Sequence, residues 1–174
     1  AWLKGWKPLH YWRWRRYFRS RGICGKLLDY GCGEGYFLRS MQHSFDAYGT
    51  DISEYAVAVS QRCAPRASVR MLDTGRVPFQ MDFFDVVTAF DVLEHIPDPL
   101  PSVSDMHRVT KPGGYIVVAL PNLDSLGLRW KGSQWQGYRD ETHCSLWTRQ
   151  RWLELLEEAG YRIVDVFYDG LWDS

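Results

Sequence analysis

"LLDYGCGEGYF", residues 27–37, is the stretch whose reading decides the fold. An apolar run carries an acid near its end, Asp29, and is followed at once by Gly31, Gly33 and Gly35. The run reads as a buried strand. Three glycines at alternate positions behind it mean a turn with positive φ, which glycine adopts at no steric cost, or a ligand lying against the main chain. A glycine-rich turn alone does not separate the two, so the flanking sequence has to.

Outward from the turn, "KLLDY" (26–30) is the first strand and "GYFLRSMQHS" (35–44) a helix that continues from it. "DAYGT" (46–50), "ASVRML" (67–72) and "FFDVVTAF" (83–90) are further strands. Between the first two of these, "SEYAVAVSQRC" (53–63) opens with Ser53 as an N-cap and has apolar residues at helical spacing. "DPLPSVSDMHRVT" (98–110) is a helix stopped by "KPGG" (111–114), with "YIVVAL" (115–120) as the fifth strand. Residues 121–147 are irregular in pattern, and a loop that long is usually functional. "TRQRWLELLEEAG" (148–160) gives an amphipathic helix ending at Gly160, and "YRIVDVFY" (161–168) a sixth strand.

Short β-branched strands alternating with helices predict an α/β fold, a Rossmann-like, doubly wound, mostly parallel sheet in the order 3-2-1-4-5 with the 161–168 strand at its edge. Two segments are expected: a basic-aromatic helical segment at 1–22 and the main domain at 23–174, with 121–147 as its loop. In that segment, "LHYWRWRRYFRS" (9–20) sets Tyr11, Trp14, Tyr17 and Phe18 on one arc of a helix.

Formal net charge over the 174 residues is zero, but residues 1–21 hold seven basic side chains and no acid. The remainder therefore has 14 basic against 21 acidic residues, a net of −7, and does not read as a polyanion binder. Cys24, Cys32, Cys63 and Cys144 form no CxxC pair and no zinc spacing, which suits reduced thiols. No apolar stretch approaches the ~20 residues of a membrane span. A cytoplasmic protein is expected.

Doubly wound sheets bind ligands beyond the carboxyl ends of their strands. The dinucleotide pattern G-x-G-x-x-G fails here, because the third glycine arrives one residue early and Tyr36 stands where it should be. Asp29 also suits an ammonium group better than a pyrophosphate. A nicotinamide-dependent oxidoreductase is thereby disfavoured.

The acid followed by G-x-G-x-G resembles motif I of the class I S-adenosylmethionine-dependent methyltransferases. "GTDIS" (49–53), "MLDTGRVPF" (71–79), "FDVVTAFDVLEHIPDP" (84–99) and "VTKPGGYIVVALPN" (109–122) agree with that family in order and spacing. The tail "HCSLWTRQRWLELLEEAGYRIVDV" (143–166) is similar to the bacterial branch that acts on small molecules and lipids. The resemblance implies S-adenosylmethionine as cofactor and S-adenosylhomocysteine as product. It places Asp29 at the methionyl amino group, Gly31, Cys32, Gly33 and Gly35 along the methionyl and ribose portions, and Asp51 at the ribose hydroxyls. Ile52 would lie on the adenine, Asp73 and Thr74 at its amine, and Phe90 and Asp91 near the methionyl end and sulfonium. It also implies a last antiparallel strand, which is expected to be missing from the 174 residues.

On the acceptor side, Glu94, His95 and His143 are the candidates for a general base. "DVLEH" (91–95) resembles the E-x-x-E-H segment with which some O-methyltransferases hold a divalent cation together with a further histidine. Asp91, Glu94, His95 and the downstream His143 would be that set, but Asp91 replaces the first Glu and its shorter reach counts against it, so a divalent metal is possible without being favoured. A His-Ile pair that packs and caps the next helix is the plainer reading of His95. The loop residues Trp130, Trp135, Tyr138 and Trp147 read either as the wall of an acceptor pocket, with the interleaved Arg129, Lys131 and Arg139 meeting an anionic group such as phosphate, or as a packed lid. The expected acceptor is a small molecule, lipid or saccharide methylated on oxygen or nitrogen. The rival from outside catalysis is a cofactor-binding regulatory or scaffold domain. Nucleic acid has no strong signal, and the N-terminal segment suits a helix over the cofactor or peripheral contact with a membrane.

Overall fold

The computed structural model of the chain describes residues 7–72 and 76–167. They form a five-stranded sheet in the order β3-β2-β1-β4-β5. Its strands are β1 (Lys26–Tyr30), β2 (Asp46–Asp51), β3 (Ser68–Met71), β4 (Phe84–Phe90) and β5 (Thr110–Ala119). The β1–β2, β1–β4 and β2–β3 pairs are parallel. The helices are α1 (Lys7–Ser20), α2 (Tyr36–Met41), α3 (Glu54–Cys63), α4 (Leu100–Val109), α5 (Leu126–Lys131), α6 (Gln136–Arg139) and α7 (Arg149–Glu158). The chain divides into two compact units, 1–89 with 108–117 and 90–107 with 118–174.

In the first unit β1 is the central strand and is covered on both faces. Leu27 and Leu28 are wholly buried in β1, and Val86, Val87 and Ala89 in β4, as continuous apolar runs in parallel strands require. Asp29 sits in β1 opposite Gly49 of β2 and Thr88 of β4. Ser53 caps α3 as its position predicts, its hydroxyl accepting from the Ala56 amide. Gly35 precedes α2 with φ 79°. Helix α1 buries Trp14 and Phe18, and its aromatic arc meets Phe37 of α2 through Tyr11 and Phe45 through Phe18, at ring separations of 5.7 and 5.5 Å. The predicted arc is the buried one.

In the second unit α7 is capped by Thr148, buries Trp152, Leu155 and Leu156, and gives way at Gly160 with φ 98°. Trp147 leans on Trp152 at 4.5 Å.

Three expectations are corrected. "KPGG" does not separate helix from strand: α4 ends at Val109 and β5 runs straight through these residues, with Gly113 at φ 78° absorbing the irregularity. Residues 121–147 are not irregular throughout. Ser125 caps α5 by accepting from the Leu128 amide, and a 3₁₀ turn (Gly132–Gln134) and α6 follow. The sixth strand does not form over 161–167: these residues have no regular structure, and Val164, Val166 and Phe167 are exposed. Strand propensity measures fit to a pleated, half-buried surface, and no strand among the described residues pairs with this segment.

Candidate functional site

The glycine turn is held by main-chain bonds to the strand beside it. The Gly31 and Cys32 amides both donate to the Thr50 carbonyl, at 2.8 and 2.9 Å. The Gly33 amide donates to Asp51 Oδ2 at 2.8 Å, and the Ser53 amide to Asp51 Oδ1 at 2.9 Å. Asp51 therefore ties the glycine turn to the start of α3, and its carboxylate keeps lone pairs for further donors.

The glycines differ in what requires them. A Cβ on Gly35 would lie 2.3 Å from Ser60 Oγ and 2.9 Å from Ser60 Cα, so the close approach to α3 dictates that residue. A Cβ on Gly33 would meet nothing within 4 Å. Open space over a left-handed turn with inward amides is what a ligand against the backbone needs. Cys32 is buried, its thiol facing Ser60 at 3.7 Å and pushed up to about 12 by desolvation and the neighbouring Asp29 charge. Only its main chain can serve a ligand.

Asp29 is buried and accepts from the Thr88 hydroxyl at 2.9 Å. Burial lifts its carboxyl to about 7; the Thr88 bond opposes the rise and the Asp51 charge adds to it. A cation brought to this carboxyl would hold it ionised. Ile52 is 74% exposed beside Asp51, an apolar side chain available to a flat ring. Asp73 and Thr74 lie outside the described residues.

In the second unit, Phe90 is half-buried at the end of β4, and Asp91 takes φ 54° while its amide donates to the Ala119 carbonyl. A non-glycine residue in the left-handed region is uncommon, though Asp tolerates it better than most. Leu93–His95 form a 3₁₀ turn in which Glu94 is 1% exposed. Its carbonyl accepts from the Cys144 and Ser145 amides, both at 2.9 Å, and the Ser145 hydroxyl donates to the Ile96 carbonyl at 2.7 Å. These bonds bring His143 beside Glu94 and His95. The two histidine rings are 4.7 Å apart, and one ligand atom from each of Glu94, His95 and His143 lies within 4.8 Å of the others. Asp91, whose shorter reach counts against it, is not in the group.

Each ring is fixed by a second residue. His143 Nδ1 lies 2.8 Å from the Gly137 carbonyl, an acceptor only, so Nδ1 bears the hydrogen and Nε2 is left as the acceptor nitrogen of the neutral ring. His95 Nδ1 meets the Thr142 hydroxyl at 2.9 Å, and that hydroxyl donates to Asp140. Glu94 Oε2 is buried without a hydrogen-bond partner, and burial, with the Asp91 and Asp140 charges, lifts the carboxyl to about 8. His95 is exposed, so it does not pack into a core.

Sequence reasoning missed Thr88, Asp140 and Thr142. Thr88 is the polar member of the buried run "FDVVTAF"; Asp140 and Thr142 form an Asx-type turn, the Thr142 amide donating to Asp140 at 3.0 Å. Among the loop aromatics, Trp135 is 1% exposed, and a Cβ on Gly137 would run into its ring at 2.2 Å. Trp130 and Tyr138 face outward, with Arg129 and Arg139 also exposed.

A family model described as a methyltransferase domain matches residues 12–166. The chain is 33% identical over 112 residues to a ubiquinone biosynthesis O-methyltransferase of Acinetobacter baumannii, covering 60% of this chain and 47% of that protein. A protein of the same description from Pseudomonas aeruginosa is 34% identical over 108 residues, covering 58% and 47%. The chain thus spans about half the length of these curated relatives. A solved S-adenosylmethionine-dependent methyltransferase from Archaeoglobus fulgidus superposes with a TM-score of 0.71 at 27% identity, covering 89% of this chain and 69% of that one.

Proposed function

The chain belongs to the methyltransferase-domain family, and on that premise we propose that it binds S-adenosylmethionine at the glycine turn and methylates a hydroxyl of a small or lipid-like acceptor. The observation that carries the first half is the turn itself: open space over Gly33, flanked by the Asp51 carboxylate and by Asp29. The bound cofactor would supply a methyl group already activated on a cationic sulfur. Asp29 would hold the amino group, Asp51 the ribose hydroxyls, and Ile52 the adenine face. A hydroxyl is favoured as acceptor because two relatives are named for O-methylation in ubiquinone biosynthesis.

A hydroxyl must lose its proton as the methyl arrives. His143 Nε2 is the group fitted to take it, since the Gly137 carbonyl holds the hydrogen on Nδ1. In this reading Asp140, through Thr142, orients His95 beside it. The test is turnover on catechol and a long-chain alkylcatechol as hydroxyl probes, read as S-adenosylhomocysteine released. His143→Ala should lower kcat by ~10²–10⁴ with cofactor affinity unchanged. Full activity in His95→Ala/His143→Ala, on any acceptor the parent turns over, sinks the base. Absence of S-adenosylhomocysteine binding in calorimetry sinks the cofactor assignment.

A second reading places a divalent cation on Glu94, His95 and His143, and one observation favours it. Glu94 Oε2 is buried without a partner, and one Glu94 carboxylate oxygen lies within 4.8 Å of a nitrogen of each imidazole, a donor set of one carboxylate and two nitrogens. A cation there would lower the pKa of an acceptor hydroxyl directly. This reading requires that a chelator abolish turnover, that manganese or magnesium restore it, and that Glu94→Gln bind neither. Activity indifferent to chelator leaves His143 as the base.

A further inference from the structure

Helix α1 has two faces, and burial in the first unit accounts for only one. Trp14 and Phe18 are 6% and 0% exposed, with Tyr11 and Tyr17 half-buried beside them. On the opposite side, Leu9, Trp12, Arg13, Arg16 and Arg19 follow at steps of three, one, three and three, which places them along one stripe of a helix. Leu9 is 66% and Trp12 49% exposed, and all three arginines of the stripe are exposed, as is Arg15 at its flank. A helix that needed only to cover α2 would have no use for a leucine and a tryptophan pointing outward.

The charge on this segment is equally one-sided. Residues 1–21 carry seven positive charges and no negative one, against a net of −7 for the rest of the chain. The charge around α1 is therefore positive, in a chain whose remainder is net negative.

We propose that the outward face of α1 docks on an anionic phospholipid surface, with Leu9 and Trp12 entering the headgroup boundary and Arg15, Arg16 and Arg19 meeting lipid phosphates. The chemistry is that of an interfacial helix: leucine and tryptophan to enter, arginines interleaved with them on the same exposed stripe and at its flank to meet phosphate, and no length or apolarity to span. Single-stranded nucleic acid fits less well. Base stacking needs an open aromatic platform in a groove, whereas Trp12 is on a convex helix with the Arg16 guanidinium already over its ring at 5.7 Å. The proposal is independent of which acceptor the enzyme methylates.

The experiment is flotation of the chain with vesicles of phosphatidylglycerol and phosphatidylcholine in equal parts, and with vesicles of phosphatidylcholine alone. The chain should float with the first and not the second, and binding should weaken as salt is raised. Each arginine near the surface contributes about fivefold, so Arg15→Gln/Arg16→Gln/Arg19→Gln should lose on the order of 10²-fold in partitioning. Leu9→Ser/Trp12→Ser should lose on the order of tenfold while keeping the salt dependence. These side chains are exposed, so the melting temperature of both variants should match the parent; the salt dependence of the parent needs no variant at all. Equal flotation with both vesicles, salt-independent binding, or undiminished binding by the arginine variant overturns the proposal. So does binding to a single-stranded oligonucleotide with no flotation.

Discussion

Glu94 works against the stability of the folded chain, and its effect has a measurable sign. Burial raises its carboxyl from an ordinary 4.5 to about 8, so the native state holds a proton that the unfolded chain has given up. The Glu94 contribution is therefore full below about pH 4.5 and falls, by at most about 1.4 kcal/mol per pH unit, until about pH 8. Asp29 adds a second decline between 3.8 and about 7. Chemical denaturation at several pH values should show the parent losing stability over this range, with Glu94→Gln flattening the upper part. An identical profile in the variant would mean that Glu94 is not buried as described. Asp51 carries the opposite kind of prediction. Asp51→Ala should weaken S-adenosylhomocysteine binding by about 1.5–3 kcal/mol, partly because the Gly33 and Ser53 amides lose their acceptor. Asp51→Asn keeps one acceptor oxygen and should cost less; calorimetry that finds both variants equal to the parent removes the ribose role.

At the scale of the element, the glycine turn contains two kinds of glycine that the sequence presents as one. Gly35 is required by packing of α2 and α3, and Gly33 by its left-handed φ of 50° alone. Gly35→Ala should therefore cost about 1–3 kcal/mol from overpacking in addition to the backbone strain, and Gly33→Ala only the roughly 1–2 kcal/mol of strain. On the proposed cofactor site, Gly33→Ala should nonetheless lose more cofactor affinity, since its methyl enters the open space over the turn. Denaturation and calorimetry on the two variants should rank them in opposite orders. The period of the glycines could announce a turn but not apportion them, because Ser60 lies 25 residues downstream of Gly35 and meets it only once α3 has docked. Similarly, β1, β2, β4 and the cap at Ser53 were legible from composition and local chemistry. The helices within 121–147 were hidden by Gly, Trp and Ser, and the 161–168 segment had propensity without a partner. The meeting of Glu94 with His143 came from the resemblance, not from spacing.

For the whole molecule, ligand linkage is the broadest test. A ligand that binds the folded chain alone stabilises it by about 2.7 kcal/mol at a hundredfold excess over its Kd. S-adenosylhomocysteine should move the denaturation midpoint accordingly, and NAD should not move it at all. The reverse pattern would return the glycine turn to the dinucleotide reading that Tyr36 argues against. The family assignment covers nearly the full chain, whereas the curated relatives extend well beyond it, so activity and partners rest on measurements of this kind.

The segment that bears His143 is joined to the turn that bears Glu94 through main-chain atoms: the Cys144 and Ser145 amides on the Glu94 carbonyl, 50 and 51 residues away in sequence. Main-chain bonds do not depend on which side chains accompany them. Descendants of such a chain can exchange the imidazoles and the carboxyl for other groups, one at a time, while the loop keeps returning to the same place. The scaffold and the chemistry are then inherited separately, and retargeting to a new acceptor requires no intermediate whose loop has come undone.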